Sequence, residues 1–351
     1  MKAFNGFRSG VNLGGWFSQC VHTEEHYDSF IKDEDFAVIR SWGADHVRVP
    51  VDHELLEDDR GNPRESGYER LERTVKLCRA NGLNMIIDLH KAAGFSFDPN
   101  EGETGFFDSE AYQRRFYALW ESIAERFARY ADVLAFELLN EVTEKEYCDA
   151  WNRIAGECIG RIRRYAPDIP ILVGGYYHNS AVSVKDIRVP LDGGIVYNFH
   201  CYEPLIFTHQ GAYWMETMDR SFRIPVGATY GEMDEAGKRM LNGTSAGVDA
   251  LPNDGVLTSG YFEDFMREAV LTAERDGVPL YCGEYGVIDL ASPEDALKWY
   301  GMITTAFEKY GIGRAAWSYR RMDFGLSDER MDGVRGELIR ILFGRTKQEI
   351  E

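Results

Sequence analysis

The sequence predicts a closed (β/α)8 barrel, the TIM-type α/β fold, with a subdomain inserted after the sixth strand. Three observations point there. Short apolar runs alternate with longer stretches of helical spacing along the chain, the pattern of repeated βα units around a parallel sheet. Eight such runs can be counted, the number that closes a barrel. The length of 351 residues suits one domain of this kind, since α/β barrels commonly use about 250 residues or more.

Strands are expected at residues 7–13, 45–49, 84–89, 133–139, 171–174, 195–199, 280–283 and 313–317. The fourth, Val133 to Leu139, is nearly all apolar, as strands buried on both faces are. Helical spacing fills residues 28–41, 68–80, 109–130, 144–165, 261–276 and 293–310, several of which stop at or near glycine or proline. The rhythm breaks once. After the sixth strand the next helical pattern begins only at Tyr261, leaving residues 203–258 as an insertion. It opens with aromatics (Phe207, Tyr213, Trp214) and turns polar and Gly-rich, as expected of a loop that walls a cleft. No repeat, separate binding module or low-complexity linker is visible, so residues 1–351 are read as a single catalytic domain.

Composition narrows the function. Hydrophobic residues make up 44% and charged residues 28%, which excludes disordered and fibrous classes. A formal net charge of −19 repels nucleic acid and anionic lipid, so no nucleic-acid or membrane partner is expected, and the chain is read as a monomer. No apolar run reaches the ~18 residues of a membrane span, and residues 1–8 carry no leader-like apolar run. A cytoplasmic protein and an extracellular one with its signal removed both fit. The six cysteines are scattered without CxxC spacing, which argues against a zinc site or a disulfide framework; most are expected to be buried small hydrophobes.

In such a barrel the chemistry sits past the C-terminal ends of the strands. Those ends carry Arg48, His90, Asn140-Glu141, His200, Tyr202, Glu284 and Trp317. A lone acid there means little, because carboxylates also cap helices and face solvent. Glu141 and Glu284, delivered to one mouth by strands four and seven, mean more. One carboxyl raised by burial can protonate a leaving oxygen, while the other, held ionised by a cation and hydroxyls such as Arg48 and Tyr202, can attack as a nucleophile. Glycoside hydrolysis needs that division, and a carboxyl separation of about 5–5.5 Å implies retention. The bland alternatives are a barrel-lining ion pair for Arg48, satisfied core histidines for His90 and His200, and core filler for the tryptophans. A metal site at Asp88, His90 and His200 is the competing chemistry, but HxH and HExxH spacings are missing. No cofactor or metal is expected. A catalytically silent carbohydrate-binding barrel is the rival from another class.

Seven motifs in order then resemble glycoside hydrolase family 5, the cellulase-type branch of the retaining (β/α)8 hydrolases. They are Gly10 to Trp16, His46 to Pro50, Asp88-Leu89-His90, Leu138 to Glu141, Phe199 to Tyr202, Gly283 to Gly286 and Ala316-Trp317. The resemblance implies Glu141 as general acid/base, Glu284 as nucleophile and Asn140 as partner of the sugar 2-hydroxyl. It further implies Arg48 as the group that keeps Glu284 ionised, His90, His200 and Tyr202 as orienting groups, and Trp317 as the stacking floor. His209 and Trp214, in the insertion, are the remaining cleft candidates. The strings 202–210 and 322–324 are similar to those of bacterial endoglucanases acting on cellulose and mixed-linkage β-glucan, and the Gly-Gly-Trp opening is similar to fungal exo-1,3-glucanases. The implied substrate is a β-glucan polymer or oligosaccharide cut at β-1,4 bonds, with an exo-1,3-glucanase or a mannanase of the same mechanism as the alternative. Two positions depart from the family pattern: Val142 stands where proline is usual and Lys91 where a second histidine is frequent.

Overall fold

The computed structural model describes residues 1–242 and 247–344. Eight parallel strands close into a barrel in chain order: β1 (Ser9–Asn12), β2 (His46–Asp52), β3 (Asn84–Lys91), β4 (Leu134–Glu137), β5 (Ile171–Val173), β6 (Ile195–Cys201), β7 (Leu280–Tyr285) and β8 (Gly313–Ala316). Every expected strand is present. Helices α1 (Glu24–Phe30), α2 (Asp33–Ser41), α3 (Glu65–Ala80), α4 (Glu110–Phe127), α5 (Cys148–Ile162), α6 (Tyr230–Met240), α7 (Ser259–Asp276), α8 (Pro293–Tyr310) and α9 (Arg335–Phe343) surround it.

The helices differ from expectation in four places. The stretch 28–41 is broken in two, because Ile31 is extended (φ −118°, ψ 130°) and the Lys32 N–H donates to Asp35 Oδ2 at 2.8 Å, capping a second helix. The stretch 144–165 begins as a 3-10 turn (Lys145–Tyr147), and α5 starts only at Cys148. Residues 203–258 hold α6, whose polar composition masked it; the Thr229–Glu232 capping box starts it, and Met233 is fully buried. Between β5 and β6 the helix is replaced by a 3-10 segment, Ala181–Asp186. Four cysteines, Cys78, Cys158, Cys201 and Cys282, are buried thiols, as expected.

Alternation along the strands stacks the barrel interior in layers. Phe7, Ile86, Ala135, Leu172, Val196, Tyr281 and Ala315 form an apolar plug. Two residues further along β3, β4, β6 and β7 the same face carries Asp88, Glu137, Asn198 and Gly283, the three side chains fully buried. Buried carboxylates require a countercharge. That requirement builds the site.

Candidate active site

Arg48, fully buried on β2, supplies the countercharge. Its Nε and Nη2 donate to Glu137 Oε2 and Oε1 at 2.7 and 2.8 Å, a bidentate fork. Nη2 also meets Asn140 Oδ1 at 2.9 Å and Asp88 Oδ2 at 3.0 Å, and Nη1 meets Asn12 Oδ1 at 2.9 Å and Glu284 Oε1 at 2.7 Å. Burial opposes the charge on Arg48, but Asp88, Glu137 and Glu284 outweigh it and hold the guanidinium well above its ordinary range. Arg48 is therefore a barrel-lining ion pair that also reaches Glu284.

Glu284 enters the mouth through a register slip. Phe199 pairs with Cys282, but the next residue, His200, pairs with Glu284, so Gly283 is the extra residue of a bulge. Only glycine fits, since a Cβ there would lie 2.8 Å from Asn198 Oδ1 and 3.0 Å from His200 Nε2. Asn198 Oδ1 accepts from the Gly283 N–H at 2.9 Å, and Asn12 Nδ2 donates to the Gly283 carbonyl at 2.9 Å. The Tyr202 hydroxyl completes the setting by donating to Glu284 Oε2 at 2.8 Å. Burial and the charge of Glu284 push this phenol well up, so it remains a donor.

Glu141 follows β4 with φ at +41°, a left-handed conformation that costs a non-glycine residue on the order of 1–3 kcal/mol and turns consecutive side chains, Asn140 and Glu141, toward one mouth. His200 Nδ1 lies 2.7 Å from Oε1 and His178 Nδ1 lies 3.2 Å from Oε2. Burial pushes this carboxyl up, but the hydrogen bonds of His178 and His200 outweigh it and hold it below the usual carboxylate range. The expectation that burial raises the acid's pKa is thus overturned by the two imidazoles. An oxygen of Glu141, one of Glu284 and a ring nitrogen of His200 all lie within 4.8 Å of one another. That span fits the close pair of a retaining glycosidase, about 5–5.5 Å, and not the 6.5–9.5 Å or so that inversion requires.

The remaining candidates fall around this pair. His90 Nδ1 is 2.6 Å from Asp88 Oδ2, and its ring lies parallel to Trp317 with centroids 5.8 Å apart. Asp88 and His90 thus pair with each other while His200 turns to Glu141, and the competing three-residue metal reading loses its geometry. Trp317 is 6% exposed, and its ring passes so close to Gly14 that a Cβ there would sit 2.7 Å away, the physical reason for glycine in the opening motif. His209 contacts Tyr202, Trp214 and Phe324 edge-on at centroid distances of 5.1–5.9 Å, and burial pulls it down to about 4, leaving it neutral near pH 7. Trp214, 39% exposed, stands at the rim with Tyr213. Lys91 pairs with Asp52 at 3.1 Å and Glu101 at 2.8 Å. The reading of strand ends missed Glu137, Asn198 and Asn12 beneath the pair, His178 beside it, and Phe324.

The chain matches the family model "Cellulase (glycosyl hydrolase family 5)" over residues 8–323. It is 47% identical over 314 residues to Cellodextrinase A of Ruminococcus flavefaciens, covering 90% of this chain and 86% of that one. It is 34% identical over 345 residues to Endoglucanase C of Acetivibrio thermocellus, covering 97% and 98%. Among solved structures, endoglucanase Cel5A of Thermotoga maritima superposes with a TM-score of 0.76 at 23% identity, over 96% of this chain and 97% of that one, which supports the barrel.

Proposed function

The chain belongs to glycoside hydrolase family 5, and from that premise we propose that it cleaves β-1,4-linked glucan internally by double displacement with net retention, Glu284 acting as nucleophile and Glu141 as acid/base. The observation that carries this is the pair itself: two carboxylates with oxygens within 4.8 Å, set in unlike surroundings. Glu284 has a guanidinium on one oxygen and a phenol on the other, which suits an ionised nucleophile. Glu141 is held by the imidazoles of His178 and His200, one on each carboxylate oxygen.

The mechanism follows from these contacts. A glucosyl ring lies with its apolar C–H face on Trp317. Asn140 Oδ1 is engaged by Arg48, so its amide is oriented with one N–H toward His90 Nε2 at 3.5 Å and the other able to donate to the sugar 2-hydroxyl, a bond that strengthens in the transition state. Glu284 attacks the anomeric carbon as Glu141 protonates the departing oxygen. Glu141 then deprotonates the water that hydrolyses the glycosyl ester. The insertion supplies His209 and Trp214 as part of the cleft wall. Cellulose-type chains, mixed-linkage glucan and short cellodextrins all present the β-1,4 bond this requires.

The test is direct. Glu284→Gln should cut kcat by at least about 10³-fold and Glu141→Gln by about 10²–10⁴-fold on cellotetraose, with folding intact by circular dichroism. Azide should rescue alanine variants at these two positions only. NMR of the first-formed product should show the β-anomer, and parallel digests of lichenan, carboxymethyl cellulose, laminarin and mannan set the linkage. An α-anomer, or less than tenfold loss in both variants, overturns the assignment.

A further inference from the structure

Glu141 presents a problem that its role makes acute. As general acid it must carry a proton when substrate binds, yet the two imidazoles hold it ionised. They are not equivalent. His200 is buried, and its Nε2 has no hydrogen-bond partner. The hydrogen-bond network therefore assigns a His200 proton to Nδ1, facing Glu141 Oε1 at 2.7 Å, on a ring closed off from solvent. His178 differs on each count. Its side chain is 54% exposed, open to exchange with water, and its Nδ1 faces the other oxygen, Oε2, at 3.2 Å.

The backbone is shaped to deliver this ring. Tyr177, His178 and Asn179 hold φ near +53°, +54° and +55°, three consecutive non-glycine residues in the left-handed region. The turn is tied to the segment after the acid, with Tyr177 N–H donating to the Thr143 carbonyl and His178 N–H to the Val142 carbonyl, each at 3.0 Å. Strain of this kind persists where its surroundings over-determine it and clusters at functional sites.

We propose that His178 is the proton reservoir of Glu141: its imidazolium, paired with the ionised carboxylate, holds the proton that Glu141 passes to the leaving glycosidic oxygen. The proposal rests on the acid/base assignment made above. In the first half-reaction the His178 Nδ1–H bond breaks and an Oε2–H bond forms on Glu141. That proton moves to the glycosidic oxygen as the anomeric C–O bond breaks, its electron pair leaving with the oxygen, while Glu284 bonds to the anomeric carbon. In the second, water attacks the anomeric carbon and releases Glu284. Its proton passes to Glu141 Oε2 and on to His178 Nδ1, restoring the pair. The surroundings favour a cation at His178. Burial pulls the ring down, but the hydrogen bond and charge of Glu141, with Glu144 and Glu284 beyond, hold it above its ordinary value. Asp98, Glu103 and Tyr147 line the same hollow, and Lys145 lies over the Tyr176 ring.

His178→Asn tests this, since asparagine accepts positive φ more readily than most residues and removes the titrating ring. Two readouts separate a reservoir from a structural prop. On cellotetraose, whose sugar leaving group needs protonation, kcat/KM at pH 7 should fall at least about tenfold; on 2,4-dinitrophenyl β-cellobioside, whose leaving group does not, the loss should be at least ten times smaller. The alkaline limb of the kcat/KM profile should move to lower pH, because the last proton is then lost from Glu141 and not from an imidazole. An alkaline limb that moves upward, as removal of a mere countercharge requires, overturns the proposal, as do an unmoved limb and equal losses on both substrates. Glu141→Gln measured alongside separates the failures. If it lacks the leaving-group dependence, the acid/base assignment falls; if it shows it and His178→Asn does not, only the reservoir falls.

Discussion

Glu137 is fully buried, accepts the Arg48 fork at 2.7 and 2.8 Å and a third bond from Asn198 Nδ2 at 2.8 Å, and touches neither Glu141 nor Glu284 directly in any of these contacts. Its effect on catalysis must pass through Arg48, whose Nη1 holds Glu284. Removing one partner of a buried ion pair costs about 3–5 kcal/mol, because the other charge is left uncompensated. Glu137→Ala is therefore expected to lower stability by about that much in urea titration. Glu137→Gln, which keeps one acceptor, should cost less stability but still lower kcat while KM stays within about twofold, since the sugar-contacting groups are untouched. A Gln variant with wild-type kcat would show that Arg48 does not need its second carboxylate to place Glu284. The two carboxylates proposed to react, Glu141 and Glu284, were legible in the sequence because each ends an apolar run. Glu137 and Asn198 were not, because inside a strand a polar residue reads as an interruption, and Asp88 entered only through the metal reading and a family motif. The available signal was period two: each stands two residues beyond a plug residue, Ala135, Ile86 or Val196. His178 left only a weak trace: His178-Asn179 are residue types that tolerate positive φ, but the flanking tyrosines hide a left-handed turn.

An ion pair joins the barrel's first two βα loops. His22 Nε2 lies 3.3 Å from Asp52 Oδ2 at the end of β2, and its Nδ1 is 2.8 Å from the Tyr27 hydroxyl on α1. Hydrogen bonding to Asp52 raises His22 from its ordinary value to about 10, and the same bond holds the buried Asp52 low. The sign follows from proton linkage. A histidine bound more tightly to its proton in the folded state contributes stability that is fully present below about pH 6.5, declines as pH rises above that value and is gone above about pH 10. The melting temperature of wild type should exceed that of His22→Gln most at pH 6, by less at pH 8, and not at all at pH 10.5, as followed by thermal denaturation. A gap that stays constant across this range would mean that His22 contributes by packing alone. At this scale legibility was uneven for a clear reason. Long amphipathic helices such as α4 and α8 and all eight strands carry their period on their surface. The break between α1 and α2 depends on one side chain, Asp35, which the Tyr319 hydroxyl and Arg320 also bind from the far end of the chain. α6, within the insertion, is fixed by the burial of Tyr230, Met233 and Ala236, a tertiary fact that its local composition does not record.

At the scale of the molecule, the question raised by residues 203–258 is whether they form a unit of their own. Their buried side chains argue otherwise. Ile206, Phe207, Val226, Tyr230, Met233 and Leu257 belong to the same continuous apolar cluster as Phe262 of α7 and Trp299 of α8, a cluster that also includes Val11 of β1 and Phe343 of α9. The Trp299 indole N–H donates to the Glu203 carbonyl at 3.0 Å, and the Ile288 N–H after β7 donates to the Thr208 carbonyl at 2.9 Å, so the insertion's first turn is tied to the strand that carries Glu284. Melting the insertion alone would expose the outer faces of α7 and α8 and release the segment behind Tyr202. We therefore propose that the described barrel and insertion unfold together, although chains of this size often show intermediates. Differential scanning calorimetry should give one transition whose calorimetric and van't Hoff enthalpies agree, with a magnitude near 0.7 kcal/mol per residue, or about 250 kcal/mol for 351 residues if the melt lies near 60 °C. A separate low-temperature transition of a fifth or less of that enthalpy, with loss of activity preceding loss of the helical signal, would instead make the insertion an independently melting wall of the cleft.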